Sequence, residues 1–189
     1  MSSGTGARRG EVLALRWSDI QEGRAVITRS LTQTRSVLEF KSTKTDESVR
    51  PVSLPDSTLA ALEAHRQRPD AFRQQYGPDY RADLDLIFAN PDGTPLKPDS
   101  VSATISALCR RLKLPKGVSL HTLRHTHGSH LVASGVDLAT VSERLGHANV
   151  RVTAEIYTHA IRGKDDEAAR KWDSFQRENS QEKRSGVVQ

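Results

Sequence analysis

Two short patterns in this chain of 189 residues carry side chains suited to an anionic, phosphate-like substrate. Arg8 and Glu11 stand in Thr5-Gly6-Ala7-Arg8-Arg9-Gly10-Glu11, and His121, Arg124 and His125 stand together in the second half of the chain. Leu145-Gly146-His147 follows, and Tyr157 comes ten residues after His147. A Lys44-Thr45 pair lies between the two arginine patterns. Guanidinium matches a phosphate because its planar fork of donors pairs with two oxygens at once. A phenol beside such a clamp is placed to attack phosphorus. Its ordinary pKa near 10 leaves only about one in a thousand ionised at neutral pH, so it needs a base and a positive field. A histidine could take its proton. A lysine, ordinarily titrating near 10.4, could hand a proton to a departing alkoxide.

Each fragment has an ordinary reading as well. At helical spacing His121, Arg124 and His125 share one face, which by itself is a basic surface stripe. Arg8 and Glu11 could be an exposed i, i+3 pair worth a few tenths of a kcal/mol. His147 could simply follow a glycine that ends a helix, and Tyr157 could pack on a surface. Tyr76 and Tyr80, the other two tyrosines, lie in a polar segment without such neighbours. His127 and His130 take no role in either reading, and with His121 and His125 they prompt a third, a His-rich metal protein. That reading lacks the Glu of a His-Glu-x-x-His helix and any thiolate partner.

The elements that must position these groups can be traced along the chain. A helix is expected over 9–17. Runs rich in Val, Ile and Thr at 24–31, 37–40 and 49–54 predict a small antiparallel sheet. A second helix begins at Pro55-Asp56 and stops at Arg68-Pro69. Residues 86–88 read as a short strand and 91–95 as a turn. Asp99 or Ser100 caps a helix reaching Leu112, and Ser119 caps the next, which ends at Gly135. Asp137 caps a short helix ending at Gly146, and Asn149 or Val150 opens the one that carries Tyr157. A charged helix over 164–177 places Ala168, Ala169, Trp172 and Phe175 on one face. The expectation is an α+β, mainly α-helical fold, with a small antiparallel β-sheet near the N-terminus packed on a helical bundle.

Composition agrees with one domain and a modest core: hydrophobic residues make up 35% and mean hydropathy is −0.58. The formal net charge is +5. Residues 110–151 hold seven Lys and Arg against Asp137 and Glu143, which points to a polyanionic partner. The lone Cys109 excludes an internal disulfide and a Cys-based zinc site, and fits a reducing compartment. No apolar run approaches a membrane span and no basic-then-apolar leader opens the chain. A protein in the cytoplasm, away from membranes, is expected.

Taken in order, the patterns resemble the tyrosine recombinase (phage integrase) family. Residues 5–20 look like its first conserved box and 119–160 like its second. The resemblance implies that Arg8 and Arg124 grip the oxygens of a DNA phosphodiester and that Glu11 supports Arg8. It implies that His121 is the general acid/base, that His147 hydrogen-bonds the phosphate and that Tyr157 is the nucleophile; His125 is supporting. The family lysine lies on a hairpin, six residues before an Arg that opens the next strand. Lys44 with Arg50 fits that spacing, and Lys41 competes.

The implied function is site-specific recombination or integration of double-stranded DNA through a 3′-phosphotyrosyl intermediate, in a bacterial or phage-encoded protein. The alternative is a catalytically impaired remnant or a non-catalytic DNA-binding module. No cofactor and no metal are implied, in keeping with the lack of a P-loop or clustered carboxylates. The partner is DNA, on which a homo-tetramer is expected, with the C-terminal helix as the element passed to a neighbour. Only seven residues precede Arg8. Residues 1–162 therefore read as a catalytic domain lacking its usual upstream helices, with the N-terminal core-binding domain absent, and 163–189 as a charged helix and tail. On that reading the helix bearing Leu13 and Trp17 should leave apolar surface exposed.

Overall fold

A computed structural model describes residues 1–42, 49–161 and 165–185. The first turn, α1 (Ser2–Thr5), is closed by Gly6 in the left-handed region at φ 67°. Helix α2 (Arg9–Ala14) follows, its start fixed by Glu11, whose carboxylate accepts from the Arg8 backbone N–H at 2.7 Å. This helix is shorter than the expected 9–17. Leu15 takes an extended conformation, and its carbonyl accepts from the Ile87 N–H at 3.0 Å instead of continuing the helix. That exchange buries Leu15 beside Ala25, Leu54, Leu62 and Ile87.

The single sheet expected from the sequence is two. β1 (Ile20–Gln21), β2 (Arg24–Ile27) and β5 (Arg50–Ser53) form an antiparallel sheet in the order β1-β2-β5, with Ala25 opposite Val52 and Ile27 opposite Arg50. β3 (Arg29–Thr34) and β4 (Val37–Ser42) form a separate hairpin in which Leu31 faces Phe40. The chain therefore changes sheets at Thr28, inside the apolar run read as one strand. The two halves of that run serve different cores: Ile27 packs with Ala7, Val12 and Val52, whereas Leu31 packs with Leu13 and Ala14.

Helix α3 (Asp56–Tyr76) continues through Pro69, where a stop was expected. An interior proline costs a helix about 3 kcal/mol. Here its ring is buried in a cleft with His65, Phe72, Tyr80 and Ile87, so tertiary packing offsets a local penalty. Residues 86–88 make only an isolated bridge, Leu86 to Arg16, rather than a strand. The expected exposure of Leu13 and Trp17 is also not found. Leu13 is buried, and Trp17 stacks on His65 with the Arg66 guanidinium 5.2 Å from its ring.

The second half is helical. α4 (Pro98–Arg111) begins with proline in its first turn, a residue or two before the expected cap. Ser119 caps α5 (Leu120–Ala133) by accepting from the Thr122 N–H, and Asp137 caps α6 (Leu138–Leu145) by accepting from the Thr140 N–H. Both caps fall where the sequence put them, and Gly146 ends α6 in the left-handed conformation. Asn149 caps α7 (Val150–Ile161) through the Val152 N–H. α8 (Asp165–Ser185) outruns its expected end, and its stacked Trp172 and Phe175 remain more than half exposed. Val132, Val141, Leu145 and Tyr157 form the core of this half. Among the described residues no helix is long and apolar enough to cross a membrane.

Gly6 ties the halves together. Its carbonyl accepts from Arg124 on α5, and a Cβ there would sit 2.5 Å from a Leu145 methyl and 2.9 Å from the His127 ring. A Gly6→Ala chain should lose about 2–4 kcal/mol of stability, combining left-handed strain with overpacking. Urea denaturation measures this, and a loss below about 1 kcal/mol would show that the turn relaxes freely.

Candidate active site

Glu11 is the hinge of the site. It is buried on α2, and its two oxygens take the Nη2 of Arg50 at 2.8 Å and the Nη1 of Arg8 at 2.9 Å. Burial by itself raises the Glu11 pKa. The Arg50 guanidinium, together with the Arg8 backbone and charge, overcomes that and holds the carboxyl below its ordinary value. Arg8 is about half exposed. Its other terminal nitrogen donates to the Gly146 carbonyl at 2.7 Å, which joins the start of α2 to the turn after α6. Two acceptors thus hold this guanidinium and leave other donors for an anion.

Arg124 reaches the same place from α5. It is buried, and its Nη1 donates to the Gly6 carbonyl at 2.6 Å. Burial and then the neighbouring Arg8 charge lower its pKa to about 10, so it stays cationic at neutral pH. Arg8, His121 and Arg124 line one cleft of about 570 Å³, together with Ser30 and Thr32 of β3 and Ser102 of α4.

His121 is exposed, and its Nε2 lies 2.8 Å from the Nε2 of His125. Such a pair needs one nitrogen without a proton. Burial, then the charges of His121 and Arg124, lowers the His125 pKa and favours it as that neutral acceptor. His147 sits on the turn behind Gly146, with Nδ1 2.7 Å from the Thr153 hydroxyl. Burial and then the charges of Arg124, Arg8 and Arg50 depress its pKa to about 4. The ring is neutral at physiological pH.

Tyr157 is only 1% exposed. It is stacked on His147 and edge-on to His125, with ring centroids 6.5 and 6.2 Å apart. Its hydroxyl lies over Gly128, where a Cβ would clash with the phenol oxygen and ring, so only glycine leaves room. Burial raises its pKa and the Arg124 charge partly opposes this. The backbone kinks at this residue (φ −108°, ψ 15°), breaking α7. Its ring opens onto a second cleft, on the side of α5 formed by Thr122, His125, Ser129 and His130, not onto the one lined by the arginines.

Arg8, Glu11, His121, Arg124, His125, His147 and Tyr157 thus fall into one neighbourhood. Lys44 lies outside the described residues. Lys41, its competitor, is on β4 and pairs with Glu39 at 3.3 Å. Among the described residues no three His, Cys, Asp or Glu side chains converge as metal ligands would. Sequence reasoning used Arg50 only as a spacing mark and passed over Thr153, Gly128 and Arg144. Arg144 donates to His127 and to the carbonyls of Gly4 and Ser53, pinning α6 to the first residues and to β5. The partners of Arg50, Gly128 and Arg144 lie far away in sequence, and Thr153 meets His147 only across the turn that separates α6 from α7.

The low His147 pKa has a consequence for stability. A group whose folded pKa is depressed contributes stability that is full above its unfolded value and is lost as pH falls through the folded one. For His147 the loss should run from about pH 6.5 down to about pH 4. Melting temperatures of the native chain and of His147→Gln, taken at pH 7.5, 5.5 and 4.5, should converge on acidification; parallel curves would contradict a depressed imidazole.

Comparison with known proteins places these features. The profile of the phage integrase family matches residues 1–163. The chain is 32% identical over 174 residues to a "Tyrosine recombinase XerC-like" protein of Caldanaerobacter subterraneus, covering 85% of this chain and 44% of that one. It is 34% identical over 173 residues to the ICEBs1 integrase of Bacillus subtilis, covering 90% and 46%. The chain spans about half the length of the curated relatives it matches. The fold is similar to that of the Tn1549 transposon integrase solved with a circular intermediate DNA, with a TM-score of 0.74 at 18% identity, covering 92% of this chain and 56% of that one.

Proposed function

The chain belongs to the phage integrase family, and on that premise we propose that it breaks and rejoins double-stranded DNA through a covalent tyrosyl intermediate. The observation that carries this reading is one cleft lined by Arg8, His121 and Arg124, with Glu11 gripping Arg8, His147 on the turn that holds Arg8, and Tyr157 stacked on His147. Two cationic forks and a neutral imidazole suit a phosphodiester whose charge rises in the transition state. Preorganised donors of this kind are typically worth about 10²–10³ in rate each.

In the proposed step the Tyr157 oxygen forms a bond to phosphorus as the bond to the 5′ oxygen breaks. The phenol proton passes to His121, and Lys44 supplies a proton to the departing 5′ oxygen. The product is a 3′-phosphotyrosyl link and a free 5′-hydroxyl. A 5′-hydroxyl from another strand then reverses the step. The link keeps the energy of the phosphodiester, so ATP is not consumed. For Nε2 of His147 to donate to the phosphate, its proton must sit there, which makes Nδ1 the acceptor of the Thr153 hydroxyl.

This assignment makes residues 1–162 the catalytic portion of an assembly that forms on DNA as a homo-tetramer. The exposed Trp172–Phe175 face of α8 is the candidate contact with a neighbouring copy. The burial of Tyr157 favours a second reading, in which this chain binds DNA without cleaving it.

A nicked suicide duplex carrying the recognition site separates the two. Unmodified chain should form an adduct that resists denaturing electrophoresis. Tyr157→Phe should form none, and Arg8→Lys should slow the adduct about 10²–10³-fold. Sequence-selective binding with no adduct would favour the second reading. Thr153→Val should slow adduct formation by up to about tenfold, the worth of one orienting hydrogen bond, and leave DNA affinity unchanged. An unaltered rate in that variant would detach Thr153 from the chemistry.

A further inference from the structure

Arg50 cannot itself touch a phosphate. Its side chain is 4% exposed, and its terminal nitrogens are spent on Glu11, Nη2 at 2.8 Å and Nη1 at 3.2 Å. Its Nε donates to the carbonyl of Arg144 at 3.1 Å, in the last turn of α6. The backbone of Gly146 lies against the guanidinium so closely that a Cβ there would come within 2.5 Å of Nη1. Both acceptors that hold Arg8, the Glu11 carboxylate and the Gly146 carbonyl, therefore rest on Arg50. His147 follows directly on the same turn.

We propose that Arg50 is a positioning residue that aims the Arg8 guanidinium into the cleft by fixing both of its acceptors at once. A bare charge would not suffice. A lysine has one nitrogen at the end of a flexible stem and cannot span two carboxylate oxygens and a backbone carbonyl in one plane. Glu11 depends on the pair in turn, because a carboxylate buried without its partner loses its compensation. With Arg50 gone, Arg8 keeps its charge and loses its direction. The inference rests on the reading of Arg8 as a phosphate clamp, but its physical core, the ordering of Arg8, can be observed without DNA.

The test has two arms, using the full chain with Arg50→Lys, Arg50→Met and the neutral pair Glu11→Gln/Arg50→Met. The pair avoids stranding a buried carboxylate, and thermal melting identifies the variants that fold. In the first arm, nitrogen-15 spectra of the arginine side chains, assigned with Arg8→Lys, report rotation about the Arg8 guanidinium bonds. Slow rotation is expected in the native chain and fast rotation in every folded variant at position 50, including Arg50→Lys. An Arg8 signal unchanged in those variants overturns the proposal.

In the second arm, adduct rates on the suicide duplex form a double-mutant cycle with Arg8→Ala. Arg50→Lys should lose about 10–100-fold in the native background and less than about twofold once Arg8 is alanine. Equal losses in both backgrounds would show that Arg50 acts independently of Arg8 and would refute the inference. An absence of adduct from the unmodified chain counts against the enzymatic reading alone, and the spectra then decide the positioning role.

Discussion

A carboxylate and a guanidinium buried together, Glu11 and Arg50, hold this structure in register. Withdrawing two charges from water is costly, and the cost is met only when geometry is good and the remaining donors find partners. Here they do: Arg50 makes two contacts to Glu11 and one to the Arg144 carbonyl, while Glu11 also receives the backbone and side chain of Arg8. The pair thereby fixes β5 against α2 and both against the end of α6. Those are the elements from which Arg8 and His147 project. The first half of the chain and the helical second half meet across these polar contacts and across apolar packing of Leu96 and Val101 on Leu13, Ala14 and Leu31.

The same concentration of positive charge governs the titrating groups. Among the described residues Arg8, Arg50 and Arg124 face the Glu11 carboxylate, which leaves an excess of positive charge around it before any anion arrives. That excess, added to burial, keeps His147 neutral with a pKa of about 4 and lowers the pKa of Arg124 to about 10. A phosphate entering the cleft would relieve repulsion already present. Tyr157 is treated differently. It is buried against Gly128 and opens onto the other side of α5, so burial outweighs the help it receives from Arg124.

The helices of the second half were legible because their signals are local. Ser119, Asp137 and Asn149 cap where their own side chains reach N–H groups three residues on, and Gly146 ends a helix because it takes a left-handed conformation. Elements failed where distant packing overrode the local signal. Pro69 does not stop α3 because its ring is buried, α2 ends early because Ile87 takes the Leu15 carbonyl, and one apolar run feeds two sheets because two cores lie on either side of Thr28.

By itself the sequence determined which chemistries this chain can bring to bear, since arginine forks, imidazoles and a phenol at family spacing are properties of residue identity and order. It also determined the helix boundaries set by capping. Tertiary structure alone decided that Arg50 is the partner of Glu11, that Thr153 meets His147 and that Tyr157 rests in the space left by Gly128. The physical reason is that caps and turns involve groups a few residues apart. Burial, ion pairing and steric fit instead depend on groups that become neighbours only when the chain has folded.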